Sequence, residues 1–525
     1  MVTMDDFAYA NWVSSYPLVN PTGTPGVFSL DIIHDMYRTL RIDRSETYDV
    51  CHRYLLGDHT RPYAPASTTD QVRDLQKRSI TNWCPLLVNL PSQVSYMDGY
   101  RRGSFDQSVS PQAPPGQDAQ RFSPEYEIWQ RNGMDARQAL IYRSALTYGQ
   151  NFVYVDNRNP DPTKIRLDVL STRNTVAYFQ DPVNDRNPAI VFTIKSYPRN
   201  EDFPGVAIAW DAVNRYDIKF DFGGDFVLQK ATPHKLKQCP IVRYVCTLDD
   251  DGQVSGVITK TLIALQDRIN QATFSTNITS DFGAFKVRTA AGLQVQFKLD
   301  ANGEPLLGAD GRPIPEPIEV TQAKLLVSGN PDTKFGQLDE TPLNGYLLAE
   351  DQATKNLAAI AQFPLHALLG SGVANLSAEA LNALEAQFHR FLHQLQTTWG
   401  ESHEELFRLI SLAGGDTEGA ESFGGEVRWR DMDSKAFSQV MDGLSKGVAA
   451  LGVPKRAAWA MIPGVTSGTL QDWEALHQQE EDDALFNQMS NPATVSRTMP
   501  ADQPKPATNP ASMPDSKQPV KNGSA

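Results

Sequence analysis

The sequence predicts an α+β fold in which a β-rich block sits among long helices. Three observations carry that class. Between Arg166 and Thr247, β-branched and aromatic runs alternate with Asn, Asp, Pro and Gly turns. On either side of this block, apolar residues recur at helical spacing. A second, smaller β pattern interrupts two helical stretches between about 283 and 334. At 525 residues the chain is long enough for two or more domains.

Taken in order, the first 29 residues form an arm without a clear pattern. "SLDIIHDMYRTLRIDRSETYDVCHRYLLGDH" then places Ile32, Met36 and Leu40, and after them Tyr48, Cys51 and Leu55, on helical faces. Residues 104–122, rich in Pro, Gln and Ser, read as an exposed loop. One helix carrying Ile128, Met134, Ala139 and Leu146 follows, and Gly149 ends it before the strand "NFVYV". The β-rich block comprises "IRLDVLS", "TVAYF", "AIVFTIKSY", "VAIAW", "RYDIKF", "FVLQK" and "IVRYVC". After the acidic turn "DDDGQVSG", a helix aligns Leu262, Leu265, Ile269 and Ala272 on one face. The small β insertion turns at Asn302-Gly303 and at Asp310-Gly311. Helix resumes with Tyr346, Ala349, Ala353, Leu357 and Ile360 on one side. Ser377 can cap a very long helix with the stripe Leu381, Leu384, Phe388, Leu392, Leu395, Trp399, Leu406 and Leu409, ended by Gly414-Gly415. A β-like "GEVRWRDMD" precedes a last helical group, from Ser434 to Met489, and the proline-rich tail from about 490 is expected to be disordered.

Composition narrows the function classes. The formal net charge of −14 argues against a broad basic face that grips nucleic acid, because phosphate affinity comes from Lys and Arg displacing counterions. Cys51, Cys84, Cys239 and Cys246 match no common zinc spacing and are expected to be reduced, structural thiols of a cytosolic protein. Neither a signal peptide nor a run of bilayer length is expected. No nucleophile elbow, Walker loop or dinucleotide fingerprint is present, so neither catalysis nor a cofactor has an address. His389 and His393 stand one helical turn apart, with His403 ten residues on. Arg390, however, occupies the place where a zinc protease needs its glutamate, and helix histidines without a metal explain the pattern better. Asp300, Asn302 and Glu304 hint at a calcium loop that lacks its sixth-position glycine and closing glutamate.

One stretch stands apart. From Asn356 to Ala378 there is no Asp, Glu, Lys or Arg, yet Pro364, Gly370 and Gly372 forbid one continuous helix. A greasy inter-helix loop of this kind would ordinarily pack into a core or a subunit interface.

Several strings, in their order, resemble the portal proteins of tailed bacteriophages, specifically the large portal family common in long-tailed phages of actinobacteria. They are "YLLGDH", "NWCPLLVN" with "GYRRG", "IWQRNGMDARQALIYRSALTYGQNFVYV", "CPIVRY", "ALQDRINQ", "PDTKFGQL" and "LSAEAL", spread over most of residues 30–480. The resemblance implies a portal fold: an α/β wing at 30–255, stem helices at 256–282 and 335–362, and a β clip at 283–334 that includes Asn302, Gly303, Asp310 and Gly311. It further implies a tunnel loop at 363–376, a long wing helix and return strand at 377–432, and a helical crown at 433–489. The implied assembly is a homo-oligomeric, dodecameric ring at one capsid vertex of the virion, built in the host cytoplasm. Its partners would be the terminase large subunit, head–tail connector proteins, and major capsid or scaffolding proteins, with double-stranded DNA passing non-specifically and no membrane. The residues expected to face DNA are Phe363, Leu365, His366, Leu369, Gly370, Ser371, Gly372 and Asn375, where an absence of cations would keep friction low. The alternatives are another virion adaptor protein and a metal hydrolase using His389, His393 and His403.

Overall fold

The computed structural model describes residues 28–66, 68–102, 123–159, 161–200, 202–284, 288–291, 297–298, 303–308, 311–314, 334–337, 342–369, 378–430, 437–462, 465 and 467–490. The chain divides into two compact units, Met1–Met432 and Asp433–Ala525.

The first unit opens with helix α1, Leu30–Asp43, capped by the Ser29 hydroxyl, which accepts from the Ile32 N–H at 3.2 Å. Ile32, Ile33, Met36 and Leu40 are buried on its inner side. Without a break it passes through a π turn, Arg44–Tyr48, into α2, Asp49–Leu56, which Gly57 ends in the left-handed region at φ 85°. Helices α3, Asp70–Arg78, and α4, Cys84–Val94, lead to strand β1, Met97–Arg101.

The expected single helix through Ile128 and Leu146 is two: α5, Pro124–Arg131, and α6, Met134–Tyr148. Asn132 causes the break. Its Nδ2 donates to the carbonyls of Ile128 and Ile165 at 2.9 and 3.0 Å, and its Oδ1 accepts from the Leu167 N–H at 3.0 Å, while Gly133 turns the chain at φ 61°. Gly149 ends α6 at φ 91°, where an added Cβ would meet the Ser255 backbone at 3.1 Å.

Every run of the β-rich block forms a strand. Strands β2, Gln150–Asp156, and β3, Arg166–Leu170, make a three-stranded antiparallel sheet with β9, Ile241–Val245, in the order β3-β2-β9. Strands β4, Thr175–Tyr178, β5, Ile190–Ser196, β6, Gly205–Asp211, β7, Asn214–Phe220, and β8, Phe226–Pro233, form a five-stranded antiparallel meander in chain order. The period of two sorts its side chains between two cores. Ile190, Phe192, Ala207 and Ile218 pack with α1, while Val191, Ile208 and Trp210 pack with Phe152 and Ile241 of the smaller sheet. A hairpin of β10, Thr247–Leu248, and β11, Val254–Ser255, encloses the acidic turn, where Asp249 Oδ1 accepts the N–H groups of Asp251 and Gln253 at 3.1 and 2.6 Å.

Helix α7, Lys260–Ala284, follows, then β12, Arg288–Ala291, paired antiparallel with β13, Lys334–Gln337. Helix α8 runs over Asn344–Ile360. The expected start of that helix at 335 is therefore corrected. Residues 334–337 give their backbone groups to β12, and Pro342 disfavours helix in the residue before it. After a short α9, Leu365–Leu369, helix α10, Ala378–Gly414, spans 37 residues, about 56 Å at 1.5 Å per residue. Its stripe from Phe388 through Leu409 is buried, and Gly415 turns the chain at φ 81°. A one-turn helix α11, Thr417–Ala420, and strand β14, Glu426–Trp429, complete the unit, β14 pairing antiparallel with β1.

The second unit contains α12, Phe437–Leu451, α13, Lys455–Ala460, and α14, Ser467–Ser490, with Trp459 edge-on to Trp473 at 6.2 Å. The arm up to residue 27 and the tail from 491 lie outside the described residues.

Candidate functional site: the α7–α8 pair and the turn that follows it

Helices α7 and α8 flank the β insertion and pack on each other. Ile269 of α7 and Ala353, Leu357 and Ala358 of α8 belong to the main core, and the Thr273 hydroxyl donates to Glu350 Oε1 at 2.9 Å. At the start of α8 Tyr346, Leu347 and Leu348 are exposed at 37, 50 and 69%, and at its other end Ile360 is exposed at 52%. The sequence anticipated Tyr346 and Ile360 on the packed face of α8, but both are exposed.

The expected apolar stripe of α7 packs on the main core through Leu262, Leu265 and Ile269, and a buried polar ladder runs beside it. Gln266 and Asn270 are fully buried, and their amides serve the backbone of an irregular stretch of chain before α4. Gln266 Oε1 accepts from the Trp83 N–H and Asn270 Oδ1 from the Thr81 N–H, both at 3.1 Å, while Gln266 Nε2 donates to the Thr81 carbonyl. Asn270 Nδ2 donates to His59 Nδ1 at 2.9 Å, which leaves His59 Nε2–H to donate to the Tyr54 carbonyl and Asn82 Oδ1. Tyr54 donates its hydroxyl proton to Asp267 at 2.8 Å, and Gln271 Oε1 accepts the Tyr63 N–H at 2.7 Å.

Helix α8 ends in a Schellman turn. The Phe363 N–H bonds the Ala358 carbonyl at 2.9 Å and the Gln362 N–H bonds Ala359 at 3.3 Å, which places Gln362 at φ 55° in a position that glycine ordinarily fills. The uncharged stretch is thus not loop throughout, since Leu365–Leu369 is helical. Phe363 is buried with its ring edge-on to Phe388 at 5.0 Å, so its assignment as a DNA-facing residue is corrected: it anchors the turn to α10. His366 is half-buried and meets Glu385 of α10 at 3.1 Å. Leu365 is exposed and Leu369 ends the helical turn, whereas Gly370, Ser371, Gly372 and Asn375 lie outside the described residues.

In the insertion, Gly303 and Gly311 both adopt positive φ, 86° and 73°, as the two turns require. The Leu306 N–H bonds the Lys298 carbonyl at 2.7 Å and the Ile314 N–H bonds Leu306 at 2.8 Å. Asp300, Asn302 and Asp310 lie outside the described residues.

The three histidines do not converge. His389 faces Glu385 at 3.9 Å, His393 is exposed, and His403 stands roughly 21 Å along the helix from His389. His403 is fully enclosed among Trp129, Tyr142, Tyr244, Phe407 and Trp429. Tyr142 donates to Gln138 Oε1 at 3.1 Å, so its oxygen accepts from His403 Nε2–H at 2.7 Å, and the Tyr244 hydroxyl donates to Nδ1 at 3.0 Å. Both ring nitrogens are thereby occupied by protein, which removes His403 from any metal site. Burial lowers the imidazole to about 3. Among the described residues no group of three or more His, Cys, Asp or Glu side chains could hold a metal ion. All four cysteines are free and buried, and no helix among the described residues is long and apolar enough to cross a membrane.

A second cluster escaped the sequence. Arg102, in the "GYRRG" string, reaches both the buried Glu125 of α5 and Asp416 at the end of α10, and Ser411 also donates to Glu125. The Gly419 N–H and then Arg102 hold the Asp416 carboxyl below its usual range. Only the arginine's place in the "GYRRG" string pointed to it, because Asp416 and Ser411 lie far along the chain.

Known proteins resemble this chain over most of its length. The family model of phage portal proteins of the SPP1 Gp6-like type matches residues 40–484. The portal protein of Mycobacterium phage D29 is 23% identical over 375 residues, covering 68% of this chain and 74% of that protein. That of Mycobacterium phage L5 is 22% identical over 377 residues, covering 66% and 71%. Among solved structures, a chain in the neck of an empty gene transfer agent particle, computed with C6 symmetry, aligns over 75% of this chain and 92% of its own, at 14% identity and a TM-score of 0.40.

Proposed function

Because the chain belongs to the SPP1 Gp6-like phage portal protein family, we propose that it forms a dodecameric ring at one capsid vertex through which DNA is packaged and ejected. The observation that carries this reading is the family match across residues 40–484, which takes in both helices of the α7–α8 pair, the insertion between them and the long α10. In this reading α7 and α8 are the stem, the insertion closed by β12 and β13 is the clip, and the second unit's helices are the crown. The sheets and helices before α7 form the wing with α10. The clip docks the terminase large subunit and then the head–tail connector proteins, while capsid or scaffolding proteins surround the wing. The protein acts in the virion, after assembly in the host cytoplasm, and carries no catalysis of its own.

Physical features support these roles. The exposed Tyr346, Leu347 and Leu348 at the start of α8 suit a closing, head-to-tail contact between copies, since large apolar residues grouped on a surface mark association sites. Leu365, His366 and Leu369 lead into the glycine-hinged stretch with Ser371 and Asn375, and the absence of cations there avoids arginine–phosphate pairs that would hold sliding DNA.

Negative-stain electron microscopy of the purified chain should show twelve-fold rings with a central channel, and a strict monomer at assembly concentrations would defeat the reading. Leu365→Glu with Leu369→Glu should leave rings intact and lower packaged DNA at least tenfold. Normal packaging would detach this turn from the channel.

A further inference from the structure

We infer that the cleft between the β4–β5 loop, the β8–β9 loop and the last third of α10 is a carboxylate socket, filled by an Asp or Glu side chain of a second copy of this chain. The cleft measures about 180 Å³, and Arg186, Asn187, Gln238, Glu405, Arg408 and Phe423 contribute to its lining. It holds a buried ion pair: Arg408 Nε and Nη2 donate to Glu405 Oε2 at 3.1 and 2.6 Å. Asn187 Nδ2 donates to Glu405 Oε1 at 3.1 Å, so both oxygens of this carboxylate are already engaged by the wall. Phe423 and Arg186, by contrast, stand exposed, the ring at 68%. That ring meets both guanidiniums, Arg408 at 4.7 Å and Arg186 at 5.6 Å from its centroid.

Attraction to the ring keeps two like charges close together that would otherwise part. Over Arg186, Arg408 and Glu405 the sum is one positive charge, which one further carboxylate balances, and a guanidinium pairs with a carboxylate through two parallel hydrogen bonds. A buried ion pair adds little to stability once its desolvation is counted, so the Glu405–Arg408 pair is accounted for by the charge it positions. The loop beside the cleft agrees. Lys235 and Lys237 both adopt positive φ, 65° and 60°, a costly backbone for a residue with a side chain, and both are exposed. Buried His234 fixes this loop: its Nε2–H donates to the Asp211 carbonyl at 2.9 Å, its Nδ1 accepts the Leu236 N–H at 3.3 Å, and its carbonyl accepts from Asn157 Nδ2 at 2.8 Å. Two further cations are thereby presented next to Gln238. The chain has 62 Asp and Glu against 48 Lys and Arg, so its copies carry like net charge and repel. A ring closes through a contact in which a patch on one copy meets a different patch on the next, and a cationic socket answered by an acidic side chain offsets that repulsion. The inference rests on the ring proposed above.

The test uses rings of the full chain carrying Arg186→Lys, assembled from equal amounts of ordinary and isotope-labelled protein and treated with a water-soluble carbodiimide, which joins an amine to a carboxylate in contact. The expected result is an amide link from position 186 to one Asp or Glu of the other isotopic form. No link, or a link only within one chain, overturns the contact. Arg186→Glu, at an exposed position, should lower the yield of rings about tenfold at physiological salt with the thermal unfolding midpoint unchanged. Rings as abundant as those of the wild type overturn the contact equally. A wild type that stays monomeric defeats the ring reading together with this one, whereas intact rings with no link at position 186 defeat the socket alone.

Discussion

The enclosed His403 makes a quantitative prediction about acid stability. Burial holds its imidazole at about 3, against an ordinary value of 6.5 in the unfolded chain. Between those values the unfolded state binds the additional proton, so stability is full above about 6.5 and falls as the pH drops towards 3. At pH 5 the gap is about 1.5 units, and at ~1.36 kcal/mol per unit His403 costs the fold about 2 kcal/mol relative to pH 7.5. The physical origin is specific: a second ring proton at Nδ1 would face the Tyr244 hydroxyl, which now donates to that nitrogen. His403→Gln provides the control, because a glutamine can offer an amide N–H and a carbonyl but does not titrate. Denaturant unfolding followed by tryptophan fluorescence, at pH 7.5 and pH 5.0, should show the wild type losing about 2 kcal/mol more than the variant. Identical pH dependence in the two proteins would refute the assignment of a buried, neutral His403.

Two further outcomes are expected. Arg102→Met leaves the buried Glu125 carboxylate and Asp416 without their shared cation and should lower stability by about 3 kcal/mol in thermal or denaturant unfolding; a loss below about 1 kcal/mol would mean the cluster is solvated. Gln362→Gly relieves a left-handed backbone at the end of α8 and should raise stability by about 0.5–1 kcal/mol, whereas a fall in the unfolding midpoint would mean that the Gln362 side chain holds the turn.

Elements whose partner is a continuous apolar surface were readable in the sequence. The strands between Arg166 and Thr247 and the Phe388-to-Leu409 stripe of α10 obey the periods of two and 3.6 because alternate strand faces, and the one buried face of the helix, each meet a continuous apolar core. Reading failed where the neighbour is irregular backbone. Gln266 and Asn270 give α7 a second, polar buried face beside its apolar stripe because the chain at Thr81 and Trp83 has N–H and C=O groups that need partners inside the protein. Asn132 broke a helix for the same reason, to serve Ile165 and Leu167. The pairing of β1 with β14 joins residues more than 300 positions apart, and no local pattern encodes it. At the candidate site, the missing charges singled out the stretch after α8. The burial of Phe363 depended on Phe388, and the tie at His366 on Glu385, both contributed by the next helix.

The ladder on α7 has a mechanical consequence. Apolar helix faces can slip past one another with modest loss, since dispersion contacts are many, weak and undirected. Amide bonds to Thr81 and Trp83 are directional, and a shift of one residue along α7, about 1.5 Å with a 100° turn, would break them together. The helix therefore behaves as a keyed shaft in its socket. These bonds link a twist or thrust applied at its Ala284 end to the residues around His59 and Asn82.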